Sequence, residues 1–343
     1  MRHLTFTKPS DFLRERNFSQ KIEASFDFIR VHARPLARVL ITLVLPLALL
    51  TGIGLGLMQG ELLSSVGSMA RRSRLGRYSD SLPAVFTSPS LWLTLLGSML
   101  LLAMLHLVVY GYIVLQAEPN RTGPVTPTEV WQLVKARFLG LVGSYIGLIA
   151  LFMVSMMVMG ALLGLISVFF GAVLGATWAG IVVILGLYAA MGYVMVTLSL
   201  YFVVWLRERR GFFGSIKRCF ELIWGKWWST FGLLVVMFIM LWLILVLVLV
   251  ALSMVGLPFT ELMSGQTTEV SPLVRVLFIA YSGLQTLLTL AFYPLLMTAI
   301  SFQYFNLVER HDGEGTRLLL DSLGEAAPVT TPLALRPDDE GEY

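Results

Sequence analysis

The stretch "FLGLVGSYIGLIALFMVSMMVMGALLGLISVFFGAVLGATWAGIVVILGLYAAMGYVMVTLSLYFVVWL", Phe138–Leu206, has no charged residue in 69 positions. As one straight helix it would run ~100 Å at 1.5 Å per residue. A bilayer's hydrocarbon core is crossed by about 20 apolar residues. The run therefore has to cross, turn and cross back. Gly171 and Gly175 mark the expected turn, since glycine lowers helix propensity and permits a tight reversal. The two limbs become spans Leu139–Phe169 and Thr177–Leu206.

Reading outward in both directions, the same pattern recurs. Of 343 residues, 57% are hydrophobic and 13% charged, and the mean hydropathy is +0.79. Soluble domains carry about 45–50% apolar and about 25% charged residues, so the chain belongs to the membrane class. Four further stretches are long enough to cross: Leu36–Met58, Leu91–Gln116, Thr230–Gly256 and Leu273–Val308. Pro46 and Pro294 fall inside spans and predict kinks. The expected fold is an all-α polytopic transmembrane helical bundle of about six spans with cytoplasmic amphipathic elbow helices. Residues 1–35 form an N-terminal segment with an amphipathic helix, 36–308 the membrane domain and 309–343 a tail. The tail turns Pro-, Thr- and acid-rich and reads as disordered from about Ala326.

Orientation follows from lysine and arginine in the flanks. Twenty lie in the N-terminal segment, the second and fourth connections and the tail; five lie on the other side. This places both termini in the cytoplasm and the protein in the inner membrane, with Arg71, Arg72, Arg74 and Arg77 as the one dissenting cluster. The single cysteine, Cys219, excludes an intrachain disulfide and any multi-cysteine metal site.

Between the fourth and fifth spans lies "RERRGFFGSIKRCFELIWGKWWST", residues 207–230, dense in basic and aromatic side chains. Wound as a helix, Phe212–Trp228 puts Phe212, Ile216, Phe220, Ile223 and Trp227 on one face, flanked by Phe213, Cys219 and Trp224. Lys217, Arg218 and Glu221 take the other side. The pattern predicts an elbow lying in the membrane interface, with tryptophans at headgroup level and basic side chains reaching phosphate. The plainer alternative is a loop with ordinary flanking charges. Two other segments look alike. Thr126-Pro127-Thr128-Glu129 is a capping box with proline at the first helical position, starting a helix that presents Trp131, Val134 and Phe138 and continues into the third span. Ile22, Phe26, Ile29 and Ala33 form an apolar stripe before the first span. "SYIGL" at Ser144 also rhymes with "STFGL" at Ser229. Together these suggest three units of elbow, span and returning span, beginning near residues 19, 126 and 211.

At these residues the chain resembles the glycerophosphoryl diester phosphodiesterase membrane-domain superfamily. The likeness rests on Arg207-Glu208-Arg209-Arg210-Gly211 followed by "SIKRCFELIWGKWWSTFGLL". The closing Phe305-Asn306-Leu307-Val308-Glu309-Arg310, with Gly313, Gly315 and Leu318–Gly324, resembles bacterial integral membrane proteins. The resemblance covers most of residues 20–324 and implies a multi-helix inner-membrane domain. It does not carry the phosphodiesterase, whose catalytic barrel is a separate soluble domain.

Ionisable residues inside spans mark function by default, and His106 is the one candidate here. It is expected to hydrogen-bond Tyr110 one turn away, or to approach a Ser or Thr on a neighbouring span, as structural glue rather than as a relay. No cofactor or metal set is legible. Glu309, Arg310, Asp312 and Glu314 read as a solvated helix end, with a polar site at the membrane face as the alternative. Gly52, Gly56 and Gly60 recur every fourth residue, as do Gly143 and Gly147, and Gly160 and Gly164. Such spacing lets helices approach closely, within one chain or at a homo-oligomeric interface. The expected partners are the bilayer, a second copy or other membrane proteins, and not nucleic acid. The function expected first is a non-catalytic membrane protein with a scaffold or envelope-homeostasis role. The alternative is a transporter or translocator of lipid or apolar cargo, which a groove lined by polar groups would favour.

Overall fold

The computed structural model describes residues 6, 8–74, 88–118, 121, 123–254 and 272–324. The tail beyond Gly324, Arg77 and the side chains of Arg71, Arg72 and Arg74 lie outside the described residues. Every described regular element is helical: α1 Pro9–Phe12, α2 Phe18–Leu43, α3 Leu45–Arg74, α4 Pro89–Gln116, α5 Pro127–Leu174, α6 Ala176–Leu198, α7 Tyr201–Glu208, α8 Gly211–Ile223, α9 Trp227–Met254, α10 Pro272–Asp312 and α11 Glu314–Gly324. Six segments among them are long and apolar enough to cross a membrane: Leu45–Leu62, Pro89–Gln116, Pro127–Phe169, Gly180–Glu208, Trp227–Val248 and Val276–Asp312. The chain is an all-α, multi-pass bundle.

The turn in the long uncharged run falls at Gly175, whose φ of +86° is costly for any residue with a Cβ. The limb before it is continuous with its elbow, as the sequence suggests. Elbow and third span form one 48-residue helix, α5. Its start is capped as expected: Thr126 Oγ1 accepts from the Glu129 N–H at 3.4 Å, and Arg121 pairs with Glu129. The first span behaves differently. Pro46 has no N–H for the Thr42 carbonyl, and the helix breaks at Val44 between α2 and α3. The membrane-capable part thus begins at Leu45 rather than Leu36. The fourth span carries a break the sequence did not announce, at Ser199–Leu200, where the Ser199 hydroxyl bonds the Val196 carbonyl at 2.7 Å.

The core is not spread evenly along the bundle. It gathers at the end where α1, α7, α8, the last turns of α10 and α11 meet. There Phe6, Phe12, Phe28, Phe302 and Phe305 pack ring against ring, at centroid distances from 5.4 to 6.5 Å. The Arg16 guanidinium lies over Phe302 at 4.9 Å and donates to the carbonyls of Phe12 and Asp11, while its backbone N–H donates to Asn306 Oδ1 at 2.7 Å. Burial lowers its pKa to about 10, with the Arg14 charge adding to the effect and Asp11 opposing it. The N-terminal segment is therefore a plug in the bundle's end.

Towards the opposite end, α3 and α10 remain locked. The Ser282 hydroxyl donates to the Gly52 carbonyl at 2.7 Å. A Cβ at Gly56 would stand 2.5 Å from the Ile279 Cα. This four-residue glycine repeat serves packing within the chain. Gly160 and Gly164, by contrast, have nothing within 4 Å of a notional Cβ, and Met157, Leu165 and Phe169 around them are exposed.

Candidate functional site

The elbow forms as a helix, but it is shorter and differently rotated than its sequence suggests. α8 ends at Ile223; Trp224 is its cap and Trp227 already opens α9. The buried side is Ser215, Arg218, Cys219, Leu222 and Ile223. Phe212 and Ile216 are half-buried and pack on the core. Arg218, expected on the solvated side, is 5% exposed. The reason is its carboxylate partners. Its Nε donates to both Glu208 oxygens at 3.1 Å, and it also pairs with Asp312. These carboxylates outweigh burial and raise its pKa, so the charge persists. The outward row is Phe213, Lys217, Phe220 and Trp224, spaced i, i+4, i+7 and i+11. Cys219 has no exposed surface, and burial pushes its thiol pKa up.

Around Arg218 an ion-paired anchor assembles from four helices. Glu208 also binds Arg210 at 2.8 Å and accepts from the Tyr304 hydroxyl at 2.9 Å. Tyr304 in turn accepts from Arg207 at 3.2 Å, whose other nitrogen reaches Glu314 at 2.8 Å. A cavity of about 350 Å³ opens among Arg207, Glu208, Arg210, Arg218, Asp312 and Glu314. Glu309, only 8% exposed, accepts from the Gly315 N–H and from the Thr316 N–H and hydroxyl. Arg310 faces Glu15 at 3.6 Å. The solvated helix end expected from the sequence is thus corrected: these residues are joints between α7, α8, α10, α11 and the N-terminal segment.

The second candidate lies at span depth. A cavity of about 290 Å³ between α3, α4 and α10 is lined by Thr51, Ser98, Gln285, Thr286, Thr289 and Tyr293, with leucines completing the wall. Thr51, Thr286 and Thr289 give their protons to carbonyls of their own helices, leaving oxygen lone pairs towards the space. The Ser98 and Gln285 side chains have no hydrogen-bond partner among the described residues. Across α10 a smaller cavity, about 110 Å³, shares Thr289 and Tyr293 and faces α9. Both hollows flank the turn before Pro294, where the helix loses a backbone bond.

His106 stands next to this groove. Its Nδ1 lies 2.8 Å from both the Leu102 carbonyl and the Tyr145 hydroxyl. Tyr110 touches it only by ring packing, at 5.5 Å between centroids, alongside Phe202 at 4.6 Å and Tyr293 at 6.2 Å. The expected Tyr110 bond is replaced by one across to α5. That exchange was invisible in the sequence because it depends on helix rotation. The groove was legible only as a surplus of Ser, Thr and Gln in the last span. No family model matches this chain, and neither a curated protein nor a solved structure does.

Proposed function

We propose that the protein is a non-catalytic integral membrane protein of the inner membrane, with both termini cytoplasmic, that takes up lipid or other amphipathic cargo from the bilayer. The observation that carries this is the groove of Thr51, Ser98, Gln285, Thr286, Thr289 and Tyr293 at span depth. An uncharged wall of hydroxyl and amide groups beside leucines suits a neutral polar linkage such as an ester, with acyl chains left in lipid. Charged solutes would meet no counter-charge there, and their desolvation cost would stand uncompensated. The kinship with the phosphodiesterase membrane-domain superfamily is part of the same proposal and supplies architecture, not chemistry.

Proteoliposomes carrying a fluorescent phospholipid test the reading, with dithionite quenching as the readout of movement between leaflets. The protein is expected to speed exchange over empty liposomes, and Ser98→Phe, which fills the groove, to slow it at least tenfold. Exchange no faster than in empty liposomes would overturn translocation. A scaffold role has its own support in the outward aromatic row of α8, Phe213, Phe220 and Trp224, together with Trp228 at the start of α9, which offers a docking face at headgroup depth.

A further inference from the structure

A cavity of about 230 Å³ opens where α1, α4, α5, α7 and α11 converge. The Arg207–Glu314 pair, at 2.8 Å, stands on the wall it shares with the hollow around Arg218. One side is apolar, built from Leu13, Leu115, Leu133, Leu206 and Leu318. The other carries five charges, Arg137, Arg207 and Arg209 against Glu118 and Glu314. Arg207 and Glu314 answer each other. Arg137, Arg209 and Glu118 are unanswered: among the described residues their side chains make no ion pair and no hydrogen bond.

Both free guanidiniums are nevertheless held at the cavity. Arg137 lies over the face of buried Trp205, its guanidinium carbon 5.8 Å from the ring centroid, so the planar head is oriented without using an N–H. Arg209 closes α7 in the left-handed region, at φ +53°, where glycine would be free of steric cost. An arginine there keeps a charge at the cavity that the turn itself does not need. Depth along the bundle points the same way. On α5, Arg137 stands between Trp131, 40% exposed, and Leu139, 82% exposed. The tryptophan suits the headgroup level and the bare leucine the hydrocarbon, which puts a basic residue between them at the depth of lipid phosphate.

We propose that this cavity binds a zwitterionic headgroup, a phosphate joined to a primary ammonium, as in phosphatidylethanolamine. The phosphate oxygens accept from Arg137 and Arg209, and the ammonium donates to Glu118, so each unanswered charge meets its opposite. The leucine wall receives the start of an acyl chain. A headgroup with the phosphate alone leaves Glu118 beside it as a like charge. Phosphoethanolamine carries the same two charges in solution, and the chemistry at the site is shared. The site is independent of the groove at span depth: Ser98 and Leu115 are seventeen residues apart on α4, about 25 Å along its axis, so either can fail alone.

The test is native mass spectrometry of the full chain, titrated with phosphatidylethanolamine and phosphatidylglycerol of matched acyl chains and, separately, with phosphoethanolamine. Wild type is expected to hold one phosphatidylethanolamine at least fivefold more tightly than phosphatidylglycerol. Glu118→Gln should erase that preference while phosphatidylglycerol binds at least as well as before. Arg137→Gln and Arg209→Gly should each weaken both lipids at least fivefold. Glycine suits the turn at 209, so the thermal midpoint of Arg209→Gly should not fall, which separates lost binding from lost folding. If phosphoethanolamine binds and displaces the lipid, the source is solution; if the lipid stays, the source is the membrane. Equal affinity of wild type for the two lipids, binding of none of the three, or variants that bind as wild type does would overturn the proposal.

Discussion

The two ends of the bundle are built on opposite plans. Where the N-terminal plug meets the last turns of α10, ten consecutive side chains from Ala299 to Val308 are buried, and charges are shared among several helices. At the tip of the α5–α6 hairpin, Leu165, Val168, Phe169 and Trp178 are each more than 65% exposed. The first end resembles a soluble core placed against a membrane. The second leaves its apolar side chains to lipid, which solvates them as well as protein would. The difference teaches where stability and adaptability reside. The anchor fixes the helices at one end, and the groove lies in the looser half beyond it.

Among the polar contacts, the largest break in this contrast should come at the anchor. Arg218→Ala leaves Glu208 and Asp312 without their shared cation. Removing one partner of a buried pair costs about 3 kcal/mol, the low end of its range because Asp312 keeps contact with water. Unfolding in mixed micelles should show that loss. Next comes the locked seam in the looser half: Gly56→Val drives a side chain into the Ile279 backbone, which cannot swing aside. A loss of about 2–3 kcal/mol is expected from such overpacking, measured the same way.

Lys21 sharpens the comparison through pH. Its pKa falls from an ordinary 10.5 to about 8, because of burial first and then Arg310 and Lys226. Between those values the unfolded chain binds a proton that the folded chain does not, so stability rises with pH. At 1.36 kcal/mol per unit, the gain by about pH 9.5 is about 2 kcal/mol. Lys21→Met should be more stable than wild type near neutral pH and lack the rise. The smallest effect belongs to the hairpin: a Cβ at Gly160 meets nothing, so Gly160→Ala gains only helix propensity and should raise stability by at most about 1 kcal/mol.

How much of this was legible in the sequence depended on the range of the interaction. The six spans, the Gly175 reversal and the Thr126 cap follow from local composition and backbone preference, and the sequence placed them. The break at Val44 was foreshadowed by Pro46, though its consequence, a later start to the first span, was not. The rotation of α8 escaped because helical periodicity weighs apolar residues alone. Arg218 turned inward to reach Glu208, ten residues back, and Asp312, on another helix. The N-terminal plug left a faint signal, Phe6, Phe12 and Leu13 in an otherwise polar segment. Glu309 was misread for the same reason as Arg218: its partners lie beyond the Gly313 turn, where spacing on one helix says nothing.

The central claim is that cohesion is concentrated at the anchored end. It is tested most directly by comparing Phe302→Ala with Leu165→Ala in reversible unfolding from mixed micelles. Phe302 is 1% exposed among four other phenylalanines, whereas Leu165 is 71% exposed. The account expects Phe302→Ala to cost about 3–5 kcal/mol and Leu165→Ala to stay within about 0.5 kcal/mol of wild type. Equal losses at the two sites would contradict it.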